Sequence, residues 1–203
     1  MRDLFILGSG VHGAEMAEIV ERVNLVKPTW NLLGFLTAEG TQRGTVRNGY
    51  PVLGGLEMLD AYPNAHFVPD NEWSRTLPLP EERLASLVDP SVFVSRTAQI
   101  GAGCVLYPYC FVGLNAVLGR RVFCLSGCSI NHDCTLESDI ALASGVQLAG
   151  SVRVGAGAYL GQACTVRQGL HVGQGSLVGM GATIVKDVPP KSVIVGNPGR
   201  VLR

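Results

Sequence analysis

The stretch "LAGSVRVGAGAYLGQACTVRQGLHVGQGSLVGMGATI", residues 148–184, carries an aliphatic side chain at every sixth position: Leu148, Val154, Leu160, Val166, Val172, Val178 and Ile184. Counted backwards without a slip, the same register meets Leu142, Leu136, Ile130, Cys124, Leu118, Val112, Leu106, Ile100, Val94 and Val88. Of these 17 positions 16 are aliphatic, and the other is cysteine. Four residues after each sits a mostly small side chain, as at Ala98, Cys104, Cys110, Ala116, Cys128, Cys134, Ala158, Cys164 and Ala182. An internal repeat of this period predicts a parallel β-helix in which each hexad is one short strand and one corner. Three hexads close a triangular coil, so residues three hexads apart stack at roughly the 4.8 Å spacing of neighbouring strands. The aliphatic position fills the interior and the small one lies beside it. Hexapeptide helices of this kind are expected to wind left-handed, against the usual crossover rule.

The register also places the cysteines. All six, Cys104, Cys110, Cys124, Cys128, Cys134 and Cys164, fall on the two inward positions. Cysteine there behaves as a small buried apolar group. No C-x-x-C pair of the zinc type is present, so packing is expected rather than metal binding.

Residues 1–80 follow a different pattern. "DLFIL" (3–7) is an apolar run that ends in "GSGVHG" (8–13), and "AEMAEIVERV" then places Met16, Ile19, Val20 and Val23 on one helical face. Further strands are expected at "NLLGFL" (31–36) and "AHFVP" (65–69). The expected fold is therefore an α/β, Rossmann-like βαβ domain over 1–80, followed by a left-handed parallel β-helix over 81–203. Glycines in a strand-to-helix turn let a phosphate approach the backbone at a helix N-terminus. A dinucleotide site would add an acidic residue after the second strand. Only Glu39 stands nearby, past the strand end, so a mononucleotide or nucleotide-sugar suits this turn better than NAD.

Composition narrows the function classes. Sixteen basic and 16 acidic residues cancel, which argues against a generic nucleic-acid binder. No run approaches the roughly 18 apolar residues of a membrane span. The opening "MRDLFILGSG" reads as a first strand rather than a leader, and a cytoplasmic location with reduced cysteines is expected.

Against this background "CSINHDCTLE" (128–137) stands out. His132 is the third residue of the hexad that starts at Ile130, an outward corner position. Its neighbours one coil below and above are Leu114 and Gly150, and Asp133 is flanked by Asn115 and Ser151. Histidine takes a proton near neutral pH, and a carboxylate beside it favours the cation. The absent side chain at Gly150 is expected to leave a slot for a thin substrate arm, and its N–H could meet a developing oxyanion. These are the needs of acyl transfer; a solvated polar corner is the bland alternative. A zinc site of the γ-carbonic anhydrase kind would need three histidines. Of His12, His66, His132 and His171 only the last two lie in the repeat, and the interval between them is not a whole number of coils, so they stand in different columns.

"ILGSGVHG", "GYPVLG" (49–54), "INHDC" (130–134), "LAGSVRVGAGAYLGQ" (148–162) and "GMGATIVKDVPPKSVIVGNP" (179–198) follow one another in an order that resembles the hexapeptide-repeat sugar acyltransferases of the NeuD/PglD type. That family comprises sialic acid O-acetyltransferase-like proteins and nucleotide-aminosugar N-acetyltransferases, and the resemblance covers nearly the whole chain. It implies a homotrimer with acetyl-CoA as co-substrate lying between subunits, no metal, and a nucleotide-sugar or sugar acceptor for bacterial surface glycan synthesis. By position it implies His132 as general base and Asp133 as its acidic partner. Gly150, Gly161 and Lys186 are implied on acetyl-CoA, and Gly10, Val11, His12 and Thr37 on the nucleotide-sugar. The chain departs from the family at Ala141, where some members have a second histidine, and at Thr37–Ala38, where UDP-binding members have an Asp pair. It departs also at "PDNEWSR" (69–75). Two other classes stay open: a β-helix scaffold, which has no need of an outward His–Asp pair, and a nucleotide-binding subunit without activity.

Overall fold

The computed structural model describes residues 1–38, 40, 42–71 and 80–202. The chain divides into two compact units, Met1–Pro90 and Ser91–Arg203. Glu39 and residues 72–75 of the "PDNEWSR" segment lie outside the described residues.

The N-terminal unit is an α/β layer. Strand β1 (Arg2–Leu7) leads through the glycine turn into helix α1 (Val11–Val26), then β2 (Trp30–Leu36), a hairpin of β3 (Val46–Arg47) and β4 (Tyr50–Gly54), short helix α2 (Glu57–Ala61) and β5 (His66–Pro69). The strands lie in the order β3-β4-β2-β1-β5. All neighbours pair parallel except the β3–β4 hairpin. Strand β1 is paired on both edges, and its successive residues Leu4, Phe5, Ile6 and Leu7 are all fully buried. That is the environment in which a parallel strand reads as a continuous apolar run. Helix α1 buries Met16, Ala17, Ile19 and Val20. It begins close to β1: a Cβ on Gly13 would come within 2.2 Å of the Gly8 carbonyl oxygen. It ends before Pro28, which cannot continue a helix.

Residues 81–90 fall within this unit. The Arg83 guanidinium donates to the carbonyls of Ala65, Leu59 and Tyr62. Asp89, almost fully buried, accepts a forked pair of hydrogen bonds from Arg22 on α1 at 2.5 and 3.1 Å.

The second unit is a three-sided parallel β-solenoid. One sheet runs through Val94, Val112, Ile130, Leu148, Val166 and Ile184. A second runs through Ile100, Leu118, Leu136, Val154 and Val172. The third runs through Leu106, Cys124, Leu142, Leu160, Val178 and Ile194. Every partner up to Ile184 lies three hexads along the chain, as the hexad count predicts. The register then breaks: Val172 bridges Val188, two residues earlier than the repeat would place its partner. All six cysteines are free and buried. Burial pushes the Cys104 thiol up to about 11 and the Cys164 thiol up to about 12, so both are inert neutral thiols.

The corners add a rule that the hexad count does not contain. The residue three after each inward aliphatic, from 103 to 181, adopts a positive φ at every one of 14 successive corners. Glycine occupies half of them. Tyr109, Asn115, Arg121, Asp133, Asp139, Ser151 and Ala163 hold the others at φ between +53° and +64°. Non-glycine residues are uncommon there, and Asn and Asp are the best tolerated.

Candidate active site

His132 and Asp133 stand on the corner between the Ile130 strand and the Leu136 strand. The backbone under them is held from both sides: the Asp133 N–H donates to the Leu114 carbonyl and the Ser151 N–H donates to the His132 carbonyl, each at 2.8 Å. Gly169 N–H continues the same ladder to the Gly150 carbonyl at 3.0 Å. The His132 Nδ1 lies 2.8 Å from Asp133 Oδ2. Because the carboxylate only accepts, Nδ1 is the protonated nitrogen of the neutral ring and Nε2 carries the lone pair. Both side chains are about half exposed, 51% and 49%.

Asp133 is itself held. Its Oδ1 accepts from the Asn115 amide at 3.0 Å. The His132 hydrogen bond first, and the Asn115 hydrogen bond second, keep its carboxyl below the usual carboxylate range. The group therefore stays ionised at any pH where histidine chemistry runs. Asn131, on the same corner, turns inward along the coil and donates to the Leu148 carbonyl at 2.7 Å.

Gly150 corrects the expected slot. A Cβ there would lie 2.4 Å from both Cε1 and Nε2 of His132. The space above the glycine is filled by the imidazole, and Gly150 is buried beneath it. The missing side chain thus makes room for the ring against the next coil rather than opening a gap for substrate. Nε2 consequently sits beside the Gly150 backbone.

The other residues singled out in the sequence separate into three places. Lys186 lies on the His132 corner, beyond Gly150 and Gln168, where the register breaks. At the usual strand spacing it stands roughly 14 Å up the corner from His132. Gly161 is on a different corner, after the Leu160 strand. A Cβ on it would come within 2.6 Å of the Met180 N and 2.8 Å of the Val178 carbonyl, so close packing of coils requires that glycine. Ala141 is buried on its strand, paired with Phe123 and Tyr159. His171 sits on the second sheet beside Arg153, in a different column from His132. Among the described residues no three histidine, cysteine or carboxylate side chains gather as a metal site, and no helix is long and apolar enough to cross a membrane.

In the N-terminal unit the ends of three parallel strands bring Gly8, Thr37 and Asp70 together. Gly8 N–H donates to the Leu36 carbonyl at 2.8 Å, and Asp70 N–H to the Leu7 carbonyl at 2.9 Å. Thr37 is buried and donates its N–H to the Gly54 carbonyl at 2.9 Å. Gly10 and Val11 line a cavity of about 460 Å³ with Ser9, Ala14, Glu15, Glu18, Arg47 and Asn48. His12 points along α1, with Nδ1 3.3 Å from Glu15. Asp70 is a member of this cluster that motif reading misses. It is only 7% exposed, and its carboxylate covers Gly8 so tightly that a Cβ there would meet it at 1.9 Å. Its place at the end of "HFVP" is visible in the sequence, but the approach to Gly8 depends on β1 and β5 being neighbours.

No protein-family model matches the chain, and no curated protein matches it either. Solved structures do. The acetyltransferase domain of PglB from Neisseria gonorrhoeae FA1090 is 28% identical, with a TM-score of 0.84, and each chain is covered in full (100%). The same domain has been solved in complex with acetyl coenzyme A. In fold and along its whole length the chain is similar to this acetyltransferase domain. GDP-perosamine N-acetyltransferase from Caulobacter crescentus is 23% identical, with a TM-score of 0.88 over 100% of this chain and 98% of that one. Its matched structure is a histidine-to-alanine mutant with CoA and GDP-perosamine. WeeI from Acinetobacter baumannii AYE is similar at 24% identity and a TM-score of 0.80, with 100% of both chains covered. The resemblance read from the motifs and the likeness of the whole chain agree on this acyltransferase family.

Proposed function

We propose that the protein is an acetyl-CoA-dependent acetyltransferase that acts on the amino group of a nucleotide-linked sugar. The observation that carries this reading is the half-exposed His132 ring, held by Asp133 at 2.8 Å and seated over Gly150. The nucleotide amino sugar bound in the Caulobacter structure favours an amine over a hydroxyl as the acceptor group. In this reading the solenoid winds left-handed, and the N-terminal unit is a Rossmann-like domain that holds the nucleotide. Three copies assemble in the cytoplasm, with acetyl-CoA between neighbours.

His132 Nε2 takes a proton from the acceptor amine as its nitrogen attacks the thioester carbonyl carbon. A C–N bond forms, and the carbonyl oxygen gains negative charge that the Gly150 N–H stabilises. The oxyanion collapses, the C–S bond breaks, and the CoA thiolate takes the proton back from the imidazolium. Asp133 stabilises the imidazolium between the two transfers. Gly161 and Lys186 contact acetyl-CoA away from the thioester. Gly10, Val11, His12 and Thr37 face the nucleotide-sugar.

The test is thiol release from acetyl-CoA with UDP-, dTDP- and GDP-4-amino sugars, free sialic acid and CMP-sialic acid, with His132→Ala beside the native chain. Release with one amino sugar that is lost in the variant is the expected result. Release with sialic acid alone would move the protein to O-acetylation. No release with any acceptor, or release unchanged in the variant, would overturn the reading.

A further inference from the structure

We propose that Asn115 is a positioning residue for the His132–Asp133 pair, acting one coil below them by claiming a single oxygen of the Asp133 carboxylate. This inference rests on the acetyltransferase reading for its kinetic readout but not for its geometry. Asn115 and Asp133 are three hexads apart and occupy the same left-handed corner position in successive coils, at φ +56° and +59°. Their side chains therefore leave the backbone in the same direction, one above the other. The Asn115 amide donates to Asp133 Oδ1 at 3.0 Å, while Oδ2 faces His132 Nδ1 at 2.8 Å. Asn115 is in turn anchored from below, its N–H donating to the Thr97 hydroxyl at 2.9 Å.

The next corner of the same coils is an internal control. Arg121 and Asp139 occupy the equivalent stacked positions, at φ +53° and +63°. There the guanidinium takes both carboxylate oxygens, at 2.6 and 3.0 Å. A fork of that kind engages both oxygens and aims the carboxylate at the guanidinium, so a neighbour meets only the remaining lone pairs. The two corners differ in what the lower residue claims. Arginine engages both oxygens and sets the carboxylate's orientation itself, whereas asparagine fixes one oxygen and leaves the other for the imidazole. A carboxylate that is half exposed and held by one bond alone would be free to rotate about its side-chain torsions, and asparagine removes that freedom without adding charge beside the histidine.

The corner position tolerates the substitutions that test this. Glycine fills it at seven corners, and arginine fills it at residue 121. Asn115→Gly removes the donor, and Asn115→Arg offers the fork seen at Asp139. With acceptor and acetyl-CoA, both variants are expected to lower kcat by roughly three- to thirty-fold with KM unchanged, Asn115→Arg more than Asn115→Gly. Made in an Asp133→Asn background, either change should cost nothing further, because Asn115 acts only through that carboxylate. A merely structural role would give additive losses, and a loss confined to KM would mean contact with substrate; either result overturns the proposal.

A readout independent of activity is the ring ¹⁵N spectrum of His132 in the whole protein, assigned with the His132→Gln variant. Asn115→Arg should shift the Nδ1/Nε2 tautomer balance in the same direction as Asp133→Asn. An unchanged ring spectrum in Asn115→Arg would overturn the proposal even if catalysis were established. A shifted spectrum in a protein that transfers no acetyl group would uphold the positioning role and remove only the acetyltransferase reading.

Discussion

The corner "NHDC" (131–134) and the corner "GQAC" (161–164) are turned by the same backbone, yet they serve different ends. Each has a left-handed third residue, Asp133 at φ +59° and Ala163 at +54°, and each ends in an inward cysteine. At the first corner the glycine that matters lies in the coil above, and what presses on it is a side chain, the His132 imidazole at 2.4 Å from an added Cβ. At the second corner Gly161 is the corner's own first residue, and what presses on it is backbone, the Met180 N at 2.6 Å. A glycine under a side chain keeps room for the imidazole. A glycine under backbone keeps room for the fold.

The largest expected effect breaks the comparison at its chemical side. His132→Ala should reduce kcat by roughly 10²-fold or more, the usual contribution of a general base, with the thermal transition retained. Steady-state thiol release and a melting curve on the same preparation check both halves.

The two glycines sharpen it next. Gly150→Ala should displace the imidazole and cost on the order of 10²-fold in kcat, as misplacement of a reacting group by about 1 Å does, with a small change in stability. Gly161→Ala should act first on folding, destabilising by roughly 1–3 kcal/mol because a coil backbone has to shift. Denaturant titration of both variants, with activity measured beside it, would collapse the distinction if the two behaved alike.

The inward cysteines set what the corners share. In the native chain none of the six thiols should react with an alkylating reagent at neutral pH, and all six should react in denaturant, as counted by intact mass. Their titration has a defined sign. Burial raises the Cys104 thiol from its ordinary 9.0 to about 11 and the Cys164 thiol to about 12, so the folded chain binds more protons than the unfolded chain above pH 9. Stability is therefore complete below pH 9 and falls as pH rises toward 11–12. Denaturant midpoints across that window measure it.

The smallest effect belongs to the Asp133 side of the corner. Its carboxyl is lowered in the folded chain, so the stabilisation it brings is present above the ordinary carboxylate range and lost as pH falls through its lowered value. The difference in melting temperature between the native chain and Asp133→Asn should accordingly be flat across neutral pH and close only at the acid end.

Much of this molecule can be read without coordinates, for a local reason. In a solenoid each hexad meets the hexads three before and three after it, so periodicity alone assigns Ile130 and Cys134 to the interior and His132 to the outside. The aliphatic count from Val94 to Ile184, the burial of the six cysteines and the adjacency of His132 to Gly150 all follow from it. The place of residues 81–90 in the N-terminal unit does not, because it depends on partners such as Arg22 and Asp89 that are 67 residues apart.

By itself the sequence determined the coil, the corner on which His132 and Asp133 stand and the family they resemble, since a strict repeat converts spacing into position. Tertiary structure alone decided how the groups on that corner are used. Side-chain direction depends on the sign of φ, and positive φ at Asn115 and Asp133 is what stacks an amide under a carboxylate. The imidazole closes the expected slot over Gly150 because a ring lies wherever the next coil leaves volume, and only packed coils define that volume.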